Sequence, residues 1–235
     1  MPEQITFLRR VIDFLIPRKC PACGRRLPIS DKVICSECYF NLPRTNFHIF
    51  PEDSFIVRKY SKTIPVVGVA SFFYYTTKSE SSKIILQMKY FGKWSFAEYI
   101  SRLYTYEIKD SGFFEGIDVI VPVPLTKKRE KERGYNQSYH IAIGISEATG
   151  IPIITDAVRR VVFTESQTRK SKEERQANVA DAFRLVSSAG IEGKHVLLVD
   201  DVITTGATIF SCAGELLKGG VKCFSILSLA HTRHL

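Results

Sequence analysis

No apolar run in this sequence approaches the roughly 20 residues that cross a bilayer, so no membrane span is expected. It has no G-x4-G-K-[ST] loop and no G-x-G-x-x-G after an apolar strand. Those absences remove a P-loop ATPase and the dinucleotide-binding fingerprint from the candidates. Acids are in deficit, 24 Asp and Glu against 33 Lys and Arg, for a formal charge of +9. That excess suits anionic partners such as phosphates, nucleic acid or an acidic membrane, without choosing among them. The opening MPEQITFLRRVIDFLIPRKC carries basic residues inside its apolar stretch and lacks a small-residue cleavage site. No secretory signal is therefore expected, and the location is read as cytoplasmic. Ile5, Leu8, Ile12 and Leu15 recur at three- and four-residue spacing, which predicts an amphipathic helix stopping before Pro17, docked on its own domain, with a membrane-surface helix as the alternative.

What is present begins with cysteine. Four of the six fall as Cys20-x2-Cys23 and Cys35-x2-Cys38, with eleven residues between the pairs. Two-residue gaps let each pair place both sulfurs on one ion, and tetrahedral Zn2+ takes four thiolates at about 2.3 Å. Gly24 can adopt the positive φ needed after the second thiolate, and Lys19, Arg25 and Arg26 would offset the negative cluster. Two disulfides are the rival reading, disfavoured in a cytoplasmic chain. Four thiolates leave the ion no open position, so its role would be structural. Cys212 and Cys223 stand in apolar surroundings and are expected to pack in a core. Residues 41 to 65 hold several prolines without a clean period and read as a connection, placing one unit at 1–65 and a second at 66–235.

From Val66 onward apolar runs alternate with helical patterns. These are VVGVASFFYY, a helix over 80–106, IDVIVPVP, a helix over 137–149, HVLLV, a helix over 207–218, and CFSILSLA. Such alternation predicts an α/β fold, a mostly parallel sheet with helices on both faces, preceded here by the four-cysteine ribbon. Ligands on these sheets bind at the carboxyl ends of strands. Asp200 and Asp201 stand at one such end, followed by Thr204, Thr205, Gly206, Ala207 and Thr208 at the start of a helix. Unpaired N–H groups at a helix start, a glycine and three hydroxyls suit a monophosphate. Two ionised acids accept hydrogen bonds from a vicinal diol, so a ribose 5-phosphate fits both halves. Further along the crevice, Lys127, Lys128, Arg129, Lys131 and Arg133 are expected on a basic loop after IDVIVPVP, with Arg133 the first choice for contact with pyrophosphate. Gly134 would allow close backbone approach, and Asn136 would cap the next helix.

The stretch VLLVDDVITTGAT resembles the 5-phosphoribosyl-1-pyrophosphate (PRPP) motif of type I phosphoribosyltransferases. IPRKCPAC, VPVPLTKKREKERGYNQS and TESQTRKSKEERQANVADAF extend the resemblance over nearly the whole chain, to the ComF family linked to DNA uptake and competence. That resemblance implies a type I phosphoribosyltransferase fold, with Asp200 and Asp201 on the ribose diol and Thr204 to Thr208 on the 5-phosphate. It also implies Mg2+ arriving with PRPP, and catalytic roles for Arg133, Gln167 and Arg175. Thr168 and Asn178 match the family's pattern too, as do Lys89, Tyr90 and Gly92 of a Lys-aromatic-x-Gly turn. Ser171-x-x-Glu174 reads as a capping box, so this segment is expected to form a mobile loop leading into a helix, either closing over the reacting centre or standing as a solvated surface helix. No N-terminal cysteine supplies a glutaminase nucleophile, since residue 2 is Pro2. The expected activity is transfer of phosphoribosyl to an unnamed acceptor. The alternative is a non-catalytic, PRPP-sensing module for single-stranded DNA, with Tyr90, Phe91 and Trp94 stacking on bases and DNA-uptake or recombination proteins as further partners.

Overall fold

The computed structural model describes residues 15–28, 31–77, 79–90, 94–161 and 182–232. Of the expected N-terminal helix only Leu15 falls among them; Ile5, Leu8 and Ile12 lie outside. In chain order the strands are β1 (Val66–Tyr75), β2 (Val119–Pro122), β3 (Val158–Arg160), β4 (Phe183–Leu185), β5 (His195–Ile203) and β6 (Cys223–Thr232). The helices are α1 (Ser36–Phe40), α2 (Phe55–Tyr60), α3 (Glu80–Tyr90), α4 (Trp94–Ile108), α5 (Lys127–Arg133), α6 (Gln137–Thr149) and α7 (Ala207–Leu217).

The central sheet is four-stranded and wholly parallel, in the order β1-β6-β5-β2. Its strands are mostly apolar because both faces are covered, with serines such as Ser71, Ser225 and Ser228 buried among them, so strict alternation with polar residues is absent. Successive side chains still point to opposite faces. Val196, Leu198, Phe224 and Ile226 join one core with Ile209, Phe210 and Leu216 of α7 and Ile56 of α2. Leu197, Val199, Leu227 and Leu229 join the other, with Met88 of α3, Ile100 of α4 and Ile141 of α6. Helices on both faces are thus observed. Cys212 is fully buried, whereas Cys223 is only half-buried. Helices α4 and α6 approach closely at Gly144, where an added Cβ would overlap Ser101 Oγ and the Glu98 carbonyl.

Three expectations need correction. The single helix over 80–106 is two helices, α3 and α4. The basic loop is helix α5: the Thr126 side chain accepts from Arg129 N at its start, and Gly134 at φ +81° ends it. Its charged residues lack an apolar period, which hid the helix. The connection over 41–65 contains α2, capped by Ser54 accepting from Ile56 N at 3.2 Å.

The cysteine segment does not stand apart from the sheet. Cys20, Ala22, Leu27, Ile34 and Leu42 share one core with Phe72 of β1 and Tyr104 of α4. Each large apolar side chain so buried stabilises by ~1.5–3 kcal/mol. Tyr74 N donates to Pro43 O at 2.8 Å, and Arg44 reaches Glu107 at 3.1 Å with its guanidinium 4.2 Å from the Phe72 ring centre. Among the described residues no helix is long and apolar enough to cross a membrane.

Candidate functional site

Strand β5 places the two acids. They follow Leu198, packed in the core with α7, and Val199, packed in the core with α6. Asp200 Oδ1 accepts from Ser138 Oγ at 3.0 Å and from Asp201 N at 2.8 Å. Asp201 Oδ2 pairs with Lys89 Nζ at 3.0 Å, bringing the last turn of α3 to the same strand end. Burial, followed by the neighbouring Asp201 charge, pushes the Asp200 carboxyl up to about 7, although Asp201 N–H, Ser138 and Lys89 favour its ionised form. Asp200 therefore sits where a modest change of pH changes its charge.

The turn after β5 leaves a backbone donor open. Gly206, at φ +84°, precedes the first residue of α7, and its own N–H has no partner among the described residues. Asp200, Thr204, Gly206, Ala207 and Thr208 line one shallow cleft there. The Thr205 hydroxyl accepts from Ala207 N at 3.4 Å, while Thr205 O accepts from Tyr60 Oη of α2 at 2.9 Å.

On the neighbouring strand end, the Asn136 side chain caps α6 by accepting from Ser138 N at 3.1 Å and donates to Val123 O at 3.1 Å, as the residue type suggested. It thereby fixes the turn that delivers Ser138 to Asp200. Arg133 donates to the buried Gln137 at 2.7 Å, and its guanidinium lies 5.7 Å from the Tyr90 ring centre. Sequence reasoning missed Arg160, at the end of β3. Burial lowers its pKa, Arg129 and Arg133 act the same way, and Asp200 opposes them, so three guanidiniums and the acid share one region. Its only signal was a double arginine at the end of an apolar run. Gln167, Thr168, Ser171, Glu174, Arg175 and Asn178, with Phe91 and Gly92, lie outside the described residues.

A cleft of about 460 Å3 opens beyond β2, lined by Leu125, Glu130, Tyr135, Tyr139, His140 and Thr155 among others. Tyr90, Trp94 and Tyr139 are exposed around that end of the molecule.

The Cys20, Cys23, Cys35 and Cys38 sulfurs lie within 4.8 Å of one another. Cys23 and Cys35 Sγ are 3.9 Å apart. Four sulfurs at about 2.3 Å from one ion would sit about 3.8 Å from each other, so the set fits a tetrahedral metal centre such as zinc. Burial works against a Cys23 thiolate, but hydrogen bonds from Arg25, Cys38 and Cys20 together outweigh it and bring Cys23 down to about 6. Burial raises Cys35 and Cys38, thiols that a bound cation would deprotonate.

The family described as phosphoribosyl transferase domain matches residues 104–234. The DNA utilization protein YhgH of Escherichia coli K12 is 31% identical over 216 residues, 91% of this chain and 90% of that protein. Competence protein ComFC of Bacillus subtilis is 29% identical over 91% of this chain and 77% of its own length. Competence protein F of Haemophilus influenzae is 39% identical over 48% of this chain and 50% of its own. Among solved structures, a glutamine PRPP amidotransferase from B. subtilis covers 61% of this chain and 30% of its own at 21% identity, with a TM-score of 0.43 too low to bear on function. By the matched domain and these relatives, the chain belongs to the phosphoribosyl transferase domain family.

Proposed function

We propose that this protein binds PRPP at the carboxyl end of β5. The observation that carries the reading is the contiguity of the acid pair, Asp200 half-buried and Asp201 buried, with the turn into α7: Asp201 stands three residues before Thr204, and Gly206 offers an N–H without a partner among the described residues. Thr204 to Thr208 receive the 5-phosphate, and the two carboxylates accept from the ribose hydroxyls. Arg160 feels the charges of Asp200, Arg129 and Arg133, so positive charge lies in the region where a pyrophosphate group would need it. The carboxylate and hydroxyl oxygens of the site suit a hard cation, and Mg2+ bound with PRPP would neutralise the departing pyrophosphate. Asp200 and Asp201 hold the ribose in place and their charge favours a cationic anomeric carbon, while Ser138 and Lys89 keep the carboxylates oriented. Gln167 and Arg175 take part in the transfer, as the sequence resemblance implies. The four cysteines hold a structural Zn2+. PRPP with Mg2+ should raise Tm, and ribose 5-phosphate should do so less. No shift with either ligand up to millimolar concentration contradicts the reading.

A role in DNA uptake or utilisation is the setting that the names of the relatives suggest. Single-stranded DNA is the second reading, favoured by the basic face of α5 beside exposed Tyr90, 65% accessible, and Trp94, 48% accessible. Phosphate-driven binding of this kind should weaken by orders of magnitude between 50 and 200 mM salt. Affinity for an oligonucleotide that is indifferent to salt excludes that surface.

A further inference from the structure

We infer that Tyr60 is a positioning residue for phosphate, setting the direction in which the Gly206 N–H points; the inference rests on the reading of Thr204–Thr208 as a phosphate loop. Tyr60 is 145 residues from Thr205 in sequence, yet its hydroxyl donates to Thr205 O at 2.9 Å. A peptide unit is planar and trans, so its carbonyl and N–H point in opposite directions. Thr205 O and Gly206 N–H belong to the same peptide unit. Holding the carbonyl against Tyr60 therefore turns the Gly206 N–H away from α2, toward the cleft that Asp200, Thr204 and Thr208 line. That N–H has no partner among the described residues, as a donor kept for a ligand requires.

The surroundings hold Tyr60 in place. Its ring stacks on Phe210 with centroids 3.4 Å apart and planes at 15°. Its carbonyl accepts from Thr63 N at 2.9 Å and Ile64 N at 3.0 Å, closing the turn into β1. Ile56 and Val57 anchor the same helix in the core. Gly206 rests against this pair of rings: an added Cβ would meet Phe210 at 2.7 Å and Tyr60 at 3.4 Å. The segment before β1 thus reaches the loop after β5 through one hydroxyl and one stacked ring. Unlike a purely apolar support, the hydroxyl selects between two orientations of a peptide plane.

The test compares the native protein with Tyr60→Phe, which keeps the stack and removes the hydroxyl. Ribose 5-phosphate and pyrophosphate are titrated separately by calorimetry. A heteronuclear NMR titration with ribose 5-phosphate follows the Gly206 amide. The expected result is a loss of about two- to tenfold in affinity for ribose 5-phosphate, the size of one neutral hydrogen bond. Pyrophosphate affinity should be unchanged, and the shift of the Gly206 amide on saturation should be smaller than in the native protein. Equal ribose 5-phosphate affinity and equal amide shift in the two proteins overturn the inference while leaving the phosphate loop intact. An equal loss for both ligands, with lowered Tm, also overturns it, because Tyr60 would then be a general support. A native protein that binds no ribose 5-phosphate overturns the inference together with the phosphate-loop reading.

Discussion

If Asp200 accepts from the ribose diol as proposed, its elevated pKa makes ribose binding dependent on pH in a way that separates it from phosphate binding. A diol donates to a carboxylate, so binding requires the ionised acid. With the carboxyl pushed up to about 7 by burial and by Asp201, roughly a tenth of the free protein is ionised at pH 6 and most of it at pH 8. Affinity for ribose 5-phosphate should therefore rise about tenfold between those values from this group alone. The phosphate of the ligand also titrates in this range, which calls for a control. 2-Deoxyribose 5-phosphate carries the same phosphate but lacks one hydroxyl of the pair, so its affinity should follow the phosphate and depend less on Asp200. Asp200→Asn should weaken ribose 5-phosphate about 10- to 150-fold at pH 8, from a charge-assisted bond of about 1.5–3 kcal/mol, and should flatten the difference between the two sugars. Calorimetry across the pH range reads all three quantities. Parallel pH dependence of both sugars in the native protein, or an unchanged slope in Asp200→Asn, refutes the assignment of the acid to the diol.

Other outcomes follow from the same geometry. Because Asp200 keeps its proton to a higher pH when folded than when unfolded, the folded state binds the extra proton between about pH 4 and 7, and stability falls as pH rises through that window. Asp200→Asn should accordingly raise Tm at pH 8 and leave it nearly unchanged at pH 4, which a pH series of thermal melts checks. Metal analysis should give one zinc per chain, and a chelator or Cys38→Ser should lower the Tm of the whole protein, since the ribbon shares its core with Phe72 and Tyr104; an unaltered melt in metal-stripped protein contradicts this. Gly144→Ala should destabilise by about 1–3 kcal/mol in denaturant titration, because the added methyl meets Ser101 and the Glu98 carbonyl across two packed helices.

The sheet was legible in the sequence because a parallel sheet covered on both faces writes its strands as mostly apolar runs. VVGVASFFYY became β1 residue for residue, and the 137–149 helix became α6 with its Asn136 cap. The acid pair and the loop after it were legible because they are contiguous. Tyr60 and Ser138 were not, since each acts on a residue far away in sequence and neither type signals that contact. Helix α5 hid behind its own charge, and β3 and β4 are three residues each, too short for a period to show. Lys89 was noticed within its motif, but only the folded chain puts its ammonium on Asp201.

The central claim, that the end of β5 is a PRPP site, is tested most directly by calorimetric titration of PRPP with Mg2+. The native protein and an Asp200→Asn, Asp201→Asn double variant are compared under the same conditions. Saturable binding to the native protein, lost in a variant that still melts cooperatively, is the predicted result. Equal binding to both proteins, or none to either, would contradict it.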